Sequence, residues 1–207
     1  HMRLHGADWN DALDMAADRG ESVAFTAAYS GSFKELAGLC RTIQAKQGVK
    51  SVRIFKELKM LLDASPDVYD DVAEKNALLE RFCNESCAHI SGEQAEVGID
   101  VLADTLETMG QWISAHIRAT EVVHDDAGES WFNGYYNNHG QQVEGMKNGE
   151  ARMMLTGQVF TILSGTASDE QVEQISHAAE KYLYRENVGG YCLNTDFKEN
   201  NMDMGRM

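Results

Sequence analysis

The sequence predicts an all-α protein with a short β-hairpin or strand confined to one long loop, and three observations carry the prediction. There is one proline in 207 residues, against roughly ten at the usual frequency of about 5%. Apolar residues recur at intervals of three and four along much of the chain. Clear helix-start signals precede two of these stretches. A hydrophobic fraction of 43% is enough to bury a real core at this length.

Each element has its own signal. After Gly31, Leu36, Leu39, Cys40 and Ile43 repeat at helical spacing, and Val52, Phe55, Leu58 and Leu62 do the same, so two amphipathic helices are expected. Ser65, Pro66 and Asp67 then form a start signal, with Ser65 as N-cap and Pro66 in the first turn, where its missing N–H costs nothing. That helix is expected to turn Val68, Val72, Leu79 and Phe82 inward. A longer one after Gly92 presents Leu102, Leu106, Met109, Ile113 and Ile117 on one face. Between 125 and 149 the texture changes to five glycines, several asparagines and the aromatic cluster Trp131, Phe132, Tyr135 and Tyr136. Ser168 with Gln171 reads as a capping box ahead of Val172, Ile175, Ala179, Tyr182 and Leu183. A second irregular stretch runs from 189 to 207. Five or six helices joined by functional loops is the expected picture, with no internal repeat or domain linker.

Composition excludes several function classes. The net charge of -15 repels nucleic-acid phosphates and anionic membrane surfaces, and no basic patch offsets it. No apolar run approaches the roughly 18 residues of a membrane span, and no export signal opens the chain, so a cytoplasmic location is expected. Cys40, Cys83, Cys87 and Cys192 lack the density of a disulfide scaffold and read as reduced thiols. Cys83 and Cys87, one helical turn apart, could share a metal with His89, but buried small apolar residues are the stronger reading. His1 and Met2 resemble the scar of a cleaved affinity tag, so the domain is expected to span 3–207.

The densest polar constellation lies near the start, in GADWNDALD: Asp8, Asp11 and Asp14 at spacings of three, with Trp9 and Asn10 between. Like charges beside an indole wall raise a carboxyl's pKa, and a carboxyl kept protonated near neutrality is what a general acid requires. Trp9 offers a flat apolar face to a sugar ring, and Asn10 both donates to and accepts from hydroxyls. Two other readings stay open: an acidic helix N-terminus with Trp9 in the core, and a calcium or magnesium site from the three aspartates.

GADWNDALDMA followed by GESVAF resembles the catalytic segment of the inverting glycoside phosphorylases of glycoside hydrolase family 94, which act on cellobiose, cellodextrins, chitobiose and β-1,2-glucans. ESWFNGYYNNHG, LTGQVFTILSG, YRENVGGYCLNTDF and MDMGRM are similar to later parts of the same family. The resemblance implies an (α/α)6 barrel, of which this chain would be about half. It implies that Asp11 is the general acid and that Trp9 lines the donor-sugar subsite; Asp8 and Asn10 match the motif, and Gln158 of LTGQVF either hydrogen-bonds near the substrate or satisfies a buried loop.

In that chemistry inorganic phosphate replaces the water and base of an inverting glycosidase. It attacks the anomeric carbon as Asp11 protonates the leaving oxygen, converting a β-linkage to α-glucose 1-phosphate. Phosphate is a co-substrate, and no metal or organic cofactor is needed. The family's acceptor and phosphate ligands are expected outside 1–207, so phosphorolysis is expected of the parent enzyme and not of the isolated chain. Expected partners are a β-linked oligosaccharide, phosphate, the remainder of the barrel and a second copy of the chain. GESVAF leans toward β-1,2-oligoglucan or cellodextrin-type enzymes. An inverting glycoside hydrolase and a non-catalytic all-helical binding module are the competing functions.

Weaker candidates complete the reading. Glu21 in GESV suits a hydrolase's second carboxylate less well than a helix start. The aromatic cluster fits a sugar platform or core packing of an antiparallel pair equally. His124 and His139 read as solvated loop histidines, and Met153 and Met154 as core filler.

Overall fold

A computed structural model describes residues 1–4 and 16–198. About half of the chain is helical, with six α-helices among the described residues and several short antiparallel strand pairs. The expectation of an all-α chain with one β-hairpin is therefore corrected: pairing recurs at both ends of the helices, in four separate two-stranded ribbons and one three-stranded sheet. The described chain divides into two compact units, residues 33–111 and residues 1–32 with 112–207.

Within 33–111 lie the end of helix α1 (Val23–Gln47), strand β3 (Ser51–Phe55), α2 (Lys56–Leu62), α3 (Val72–Ser86), β4 (Gln94–Gly98) and the first half of α4 (Ile99–Thr120). The helix expected over Val52–Leu62 splits, with Val52 and Phe55 in β3 and Leu58 and Leu62 in α2. Val52 and Ile54 are β-branched and alternate with Arg53, and they pair across the ribbon with Val97 and Ala95. Stiff branched side chains with partners directly opposite favour the strand over a single helical turn. Ser65 caps as expected, but what it starts is a 3-10 turn at Pro66–Tyr69, and α3 begins anew behind the N-cap Asp71. Val72 and Leu79 are exposed there, as are Leu36 and Leu39 on α1, because the small core of this unit is built instead on Ala37, Ala103 and Leu106. Cys83 and Cys87 are exposed too, which corrects the reading of both as buried.

The other unit holds β1 (Met2–Arg3), β2 (Glu21–Ser22) and the start of α1, followed after α4 by β5 (Val122–His124), β6 (Ser130–Phe132), β7 (Tyr135–Tyr136), β8 (Gly145–Lys147) and β9 (Glu150–Arg152). Helices α5 (Leu155–Leu163) and α6 (Asp169–Tyr182) and the ribbon β10 (Tyr184–Arg185) with β11 (Gly190–Tyr191) complete it. The long loop is thus a run of hairpins: β5 pairs β6, β8 pairs β9, and β7 joins β2 and β1 in one antiparallel sheet. Ile113 and Ile117 of α4 meet Trp131, Phe132, Met153, Ile175 and Leu183 in the larger apolar cluster. The capping box at α6 forms as read, with the Gln171 N–H donating to Ser168 Oγ and the Ser168 N–H to Gln171 Oε1. No helix among the described residues is long and apolar enough to cross a membrane.

Candidate active site

Asp8, Trp9, Asn10, Asp11 and Asp14 lie outside the described residues, as does MDMGRM. The residues that flank both segments are described, and they converge. Leu4 and Ala16, on either side of 5–15, and Phe197, just before 199–207, belong to one buried cluster with Ala24, Tyr135, Val143 and Met154. Backbone bonds lock the first two in place: the Leu4 N–H donates to Gly20 O (2.9 Å) and the Gly20 N–H to Ala16 O (3.0 Å). Gly20 is required there, since a Cβ would stand 2.8 Å from both Ala16 Cβ and Leu4 Cδ1. A side chain at that spacing forces backbone to shift. The residues described on either side of 5–15, and Phe197 ahead of 199–207, therefore share a single packed cluster.

Beneath that cluster sits a polar network that the sequence does not announce. Glu144 is 1% exposed. Its Oε1 accepts from the Gly134 N–H (2.7 Å), and its Oε2 from the Met154 N–H (2.8 Å) and Gln158 Nε2 (3.3 Å). Burial pushes this carboxyl up, while the Met154 and Gly134 N–H groups pull it toward its charged form. Gln158, also 1% exposed, donates to the carbonyls of Phe132 (2.8 Å) and Met154 (3.1 Å), and its Oε1 accepts from the Phe132 N–H (2.9 Å). Both ends of the Gln158 amide are thus spent on the scaffold, tying α5 to β6. Gly134 and Gly157 pass so closely that a Cβ on either would meet the other's Cα at 3.0 Å or less.

A second buried carboxylate closes the end of α4. Glu121 accepts from Asn133 Nδ2 (3.0 Å), the Tyr136 hydroxyl (3.0 Å) and the Thr120 hydroxyl (3.2 Å), and it lies 2.9 Å from His1 Nε2. Burial, followed by the charge of Glu121, pushes the Tyr136 hydroxyl up to about 12. Asn133 bridges the two carboxylate residues, since its Oδ1 accepts from the Glu144 N–H (3.2 Å). Around Glu121 the rings of His1 and Tyr136 stack at 5.7 Å, and Trp112 stacks on His116 at 5.0 Å.

The remaining candidates separate cleanly. Glu21 stands in β2, and the Ser22 hydroxyl accepts from the Phe25 N–H, so GESV is a helix start. Trp131, Phe132 and Tyr135 are buried, and Trp131 and Phe132 lie in the β5–β6 pair, which decides for core packing at those three positions. His124 and His139 are exposed and Met153 and Met154 buried, as read. A cavity of about 850 Å³ lined by Met60, Val68, Leu78 and Arg81 belongs wholly to the 33–111 unit and shares no residue with the cluster around Leu4 and Ala16. Sequence reasoning missed Glu121, Asn133 and Glu144. Each stands singly in its local string, and only the clustering of glycines at 134, 145 and 157 hinted at close backbone packing.

No protein of curated function matches the sequence. A family model for the glycosyl hydrolase 94 superfamily, catalytic domain, matches residues 102–207. The matched half contains ESWFNGYYNNHG, LTGQVFTILSG, YRENVGGYCLNTDF and MDMGRM, and GADWNDALDMA precedes it. With half of its length matched by that model, the chain belongs to the glycosyl hydrolase 94 superfamily, a family of glycosyl-active enzymes.

Proposed function

We propose that this chain carries the general acid of an inverting carbohydrate phosphorylase, which cleaves a β-glucosidic bond with inorganic phosphate to give α-glucose 1-phosphate. The observation that carries the reading is GADWNDALDMA in a chain of this family. Its support in the fold is the convergence of Leu4, Ala16 and Phe197, which brings the flanks of that motif and of MDMGRM to one cluster.

In this reading Asp11 gives its proton to the departing glycosidic oxygen while phosphate attacks the opposite face of the anomeric carbon. Phosphate is already an anionic nucleophile, so the second carboxylate that an inverting hydrolase uses to activate water is not called for. Trp9 packs against the donor sugar, and Asp8 and Asn10 bond its hydroxyls. Gln158 serves the site through the backbone it holds. The partners are a β-linked oligosaccharide, phosphate and the remaining helices of an (α/α)6 barrel.

The test uses the full-length natural protein with β-1,2- and β-1,4-linked glucose oligomers, with and without phosphate. Expected is α-glucose 1-phosphate that forms only with phosphate, its anomeric configuration read by NMR. Reducing sugar released equally without phosphate would instead establish the hydrolase. Asp11→Asn is expected to lower kcat by about 10²–10⁴-fold, the usual contribution of a general acid. Unchanged turnover would remove Asp11 from the chemistry and leave the motif a structural role.

A further inference from the structure

We propose that the trough between α2 and α3 docks a cationic amphipathic helix of a partner protein, independently of the phosphorylase reading. Neither helix has a buried residue, and the cavity of about 850 Å³ in the 33–111 unit opens between them. On α3 it is bounded by Glu74, Ala77, Leu78 and Arg81. That spacing of i, i+3, i+4 and i+7 is one helical face, about 10 Å long. Across from it, α2 supplies Met60, and the turn that follows supplies Ala64 and Val68. Met60, Ala64, Val68 and Leu78 are half-buried and make an apolar floor. Two turns of trough match the two or three anchors that an amphipathic helix lays into an apolar groove.

Charge decides which kind of helix fits. Asp63, Asp67 and Glu74 line the trough where α2 stops and α3 begins. The stretch 63–86 holds seven carboxylates against Lys75 and Arg81. Arg81 stands two turns of α3 beyond Glu74, and its Nε donates to Met60 Sδ (3.2 Å). About 10 Å of separation exceeds the screening length of roughly 8 Å at physiological salt, so Arg81 does not neutralise the acidic end. A second copy of the chain, at a net charge of -15, brings like charge to this rim. Lysines or arginines flanking an apolar stripe meet both the carboxylates and the floor.

The test measures fluorescence anisotropy of a labelled leucine–lysine helix with leucines at i, i+3, i+4 and i+7, titrated with the full-length natural protein. A peptide of the same composition without the stripe is the comparison. The striped peptide is expected to bind at least about tenfold more tightly, and to slow hydrogen exchange in α2 and α3 but not in α6. Leu78→Asp removes an anchor, and Asp67→Lys with Glu74→Lys reverses the rim. Each change should weaken binding about tenfold. Glu170→Lys with Glu173→Lys makes the same charge change at exposed positions on α6 and should alter affinity less than about twofold.

Equal affinity of the two peptides overturns the proposal, as does an equal loss in the α6 control, which would reduce the attraction to net charge. A dimer in sedimentation that Leu78→Asp dissociates would make a second copy the occupant and overturn it too. Should Leu78→Asp not fold, the exposed pair at 67 and 74 decides by itself. None of these readouts involves sugar or phosphate, so failure of the phosphorylase reading leaves them unchanged.

Discussion

Asp125 shows how single residues hold the hairpins to the helices. Its side chain is 3% exposed, and it accepts from Lys181 Nζ (2.6 Å), the Tyr182 hydroxyl and the N–H groups of Ala127 and Glu129 (2.8 Å each). The Lys181 ammonium, and after it the Tyr182 hydroxyl, hold this carboxyl well below the usual carboxylate range. A depressed folded-state pKa stabilises the fold above the unfolded value of about 3.9 and is lost as pH falls through the folded value. Acid denaturation monitored by circular dichroism should therefore show stability declining from about pH 4 downward, with Asp125→Asn reducing that dependence and lowering Tm at neutral pH. At this scale the sequence is legible wherever chemistry is local. Ser168 and Gln171 could be read as a capping box because both partners lie within one turn. Glu144 could not be read, because its partners at 134, 154 and 158 come from other elements.

Elements divide along the same line. Helix α4 was legible from its apolar stripe, and Ile117 and Leu106 are buried as that stripe requires. Strand β3 was not, because Val52 and Phe55 satisfy an i, i+3 pattern while Val52 and Ile54 satisfy a period of two, and only pairing with β4 distinguishes them. The N-terminus of α6 offers a direct check: Ser168→Ala removes the acceptor for the Gln171 N–H and should cost about 1 kcal/mol in chemical denaturation. The approach of α5 to the loop before β7 offers another. Gly157→Ala places a Cβ 2.9 Å from Gly134 Cα and 3.4 Å from Glu144 Oε1, and overpacking of this kind costs about 1–3 kcal/mol. Gly38, with open space around it, is the control, since Gly38→Ala in the middle of α1 should hold or slightly raise stability.

For the whole molecule, charge and composition carry the argument. A net charge of -15 leads to the expectation that the protein does not retard duplex DNA in a gel even at low ionic strength, where phosphate contacts are strongest. A clear shift would reveal a local cationic surface. Family membership was legible because motifs such as LTGQVF and YRENVGGY are contiguous strings. The sequence by itself determined the family, the helices with strong periodicity, the cap of α6 and the residues proposed for chemistry, since all of these are written in short stretches of chain. Only the tertiary structure decided that the long loop is a set of hairpins, that Leu36, Leu39, Val72 and Leu79 face outward, and that Glu144 meets Gly134, Met154 and Gln158 in a buried network. The physical reason is that burial and hydrogen-bond satisfaction depend on which distant segments meet, and a period of three or four residues marks an apolar face without saying what will cover it.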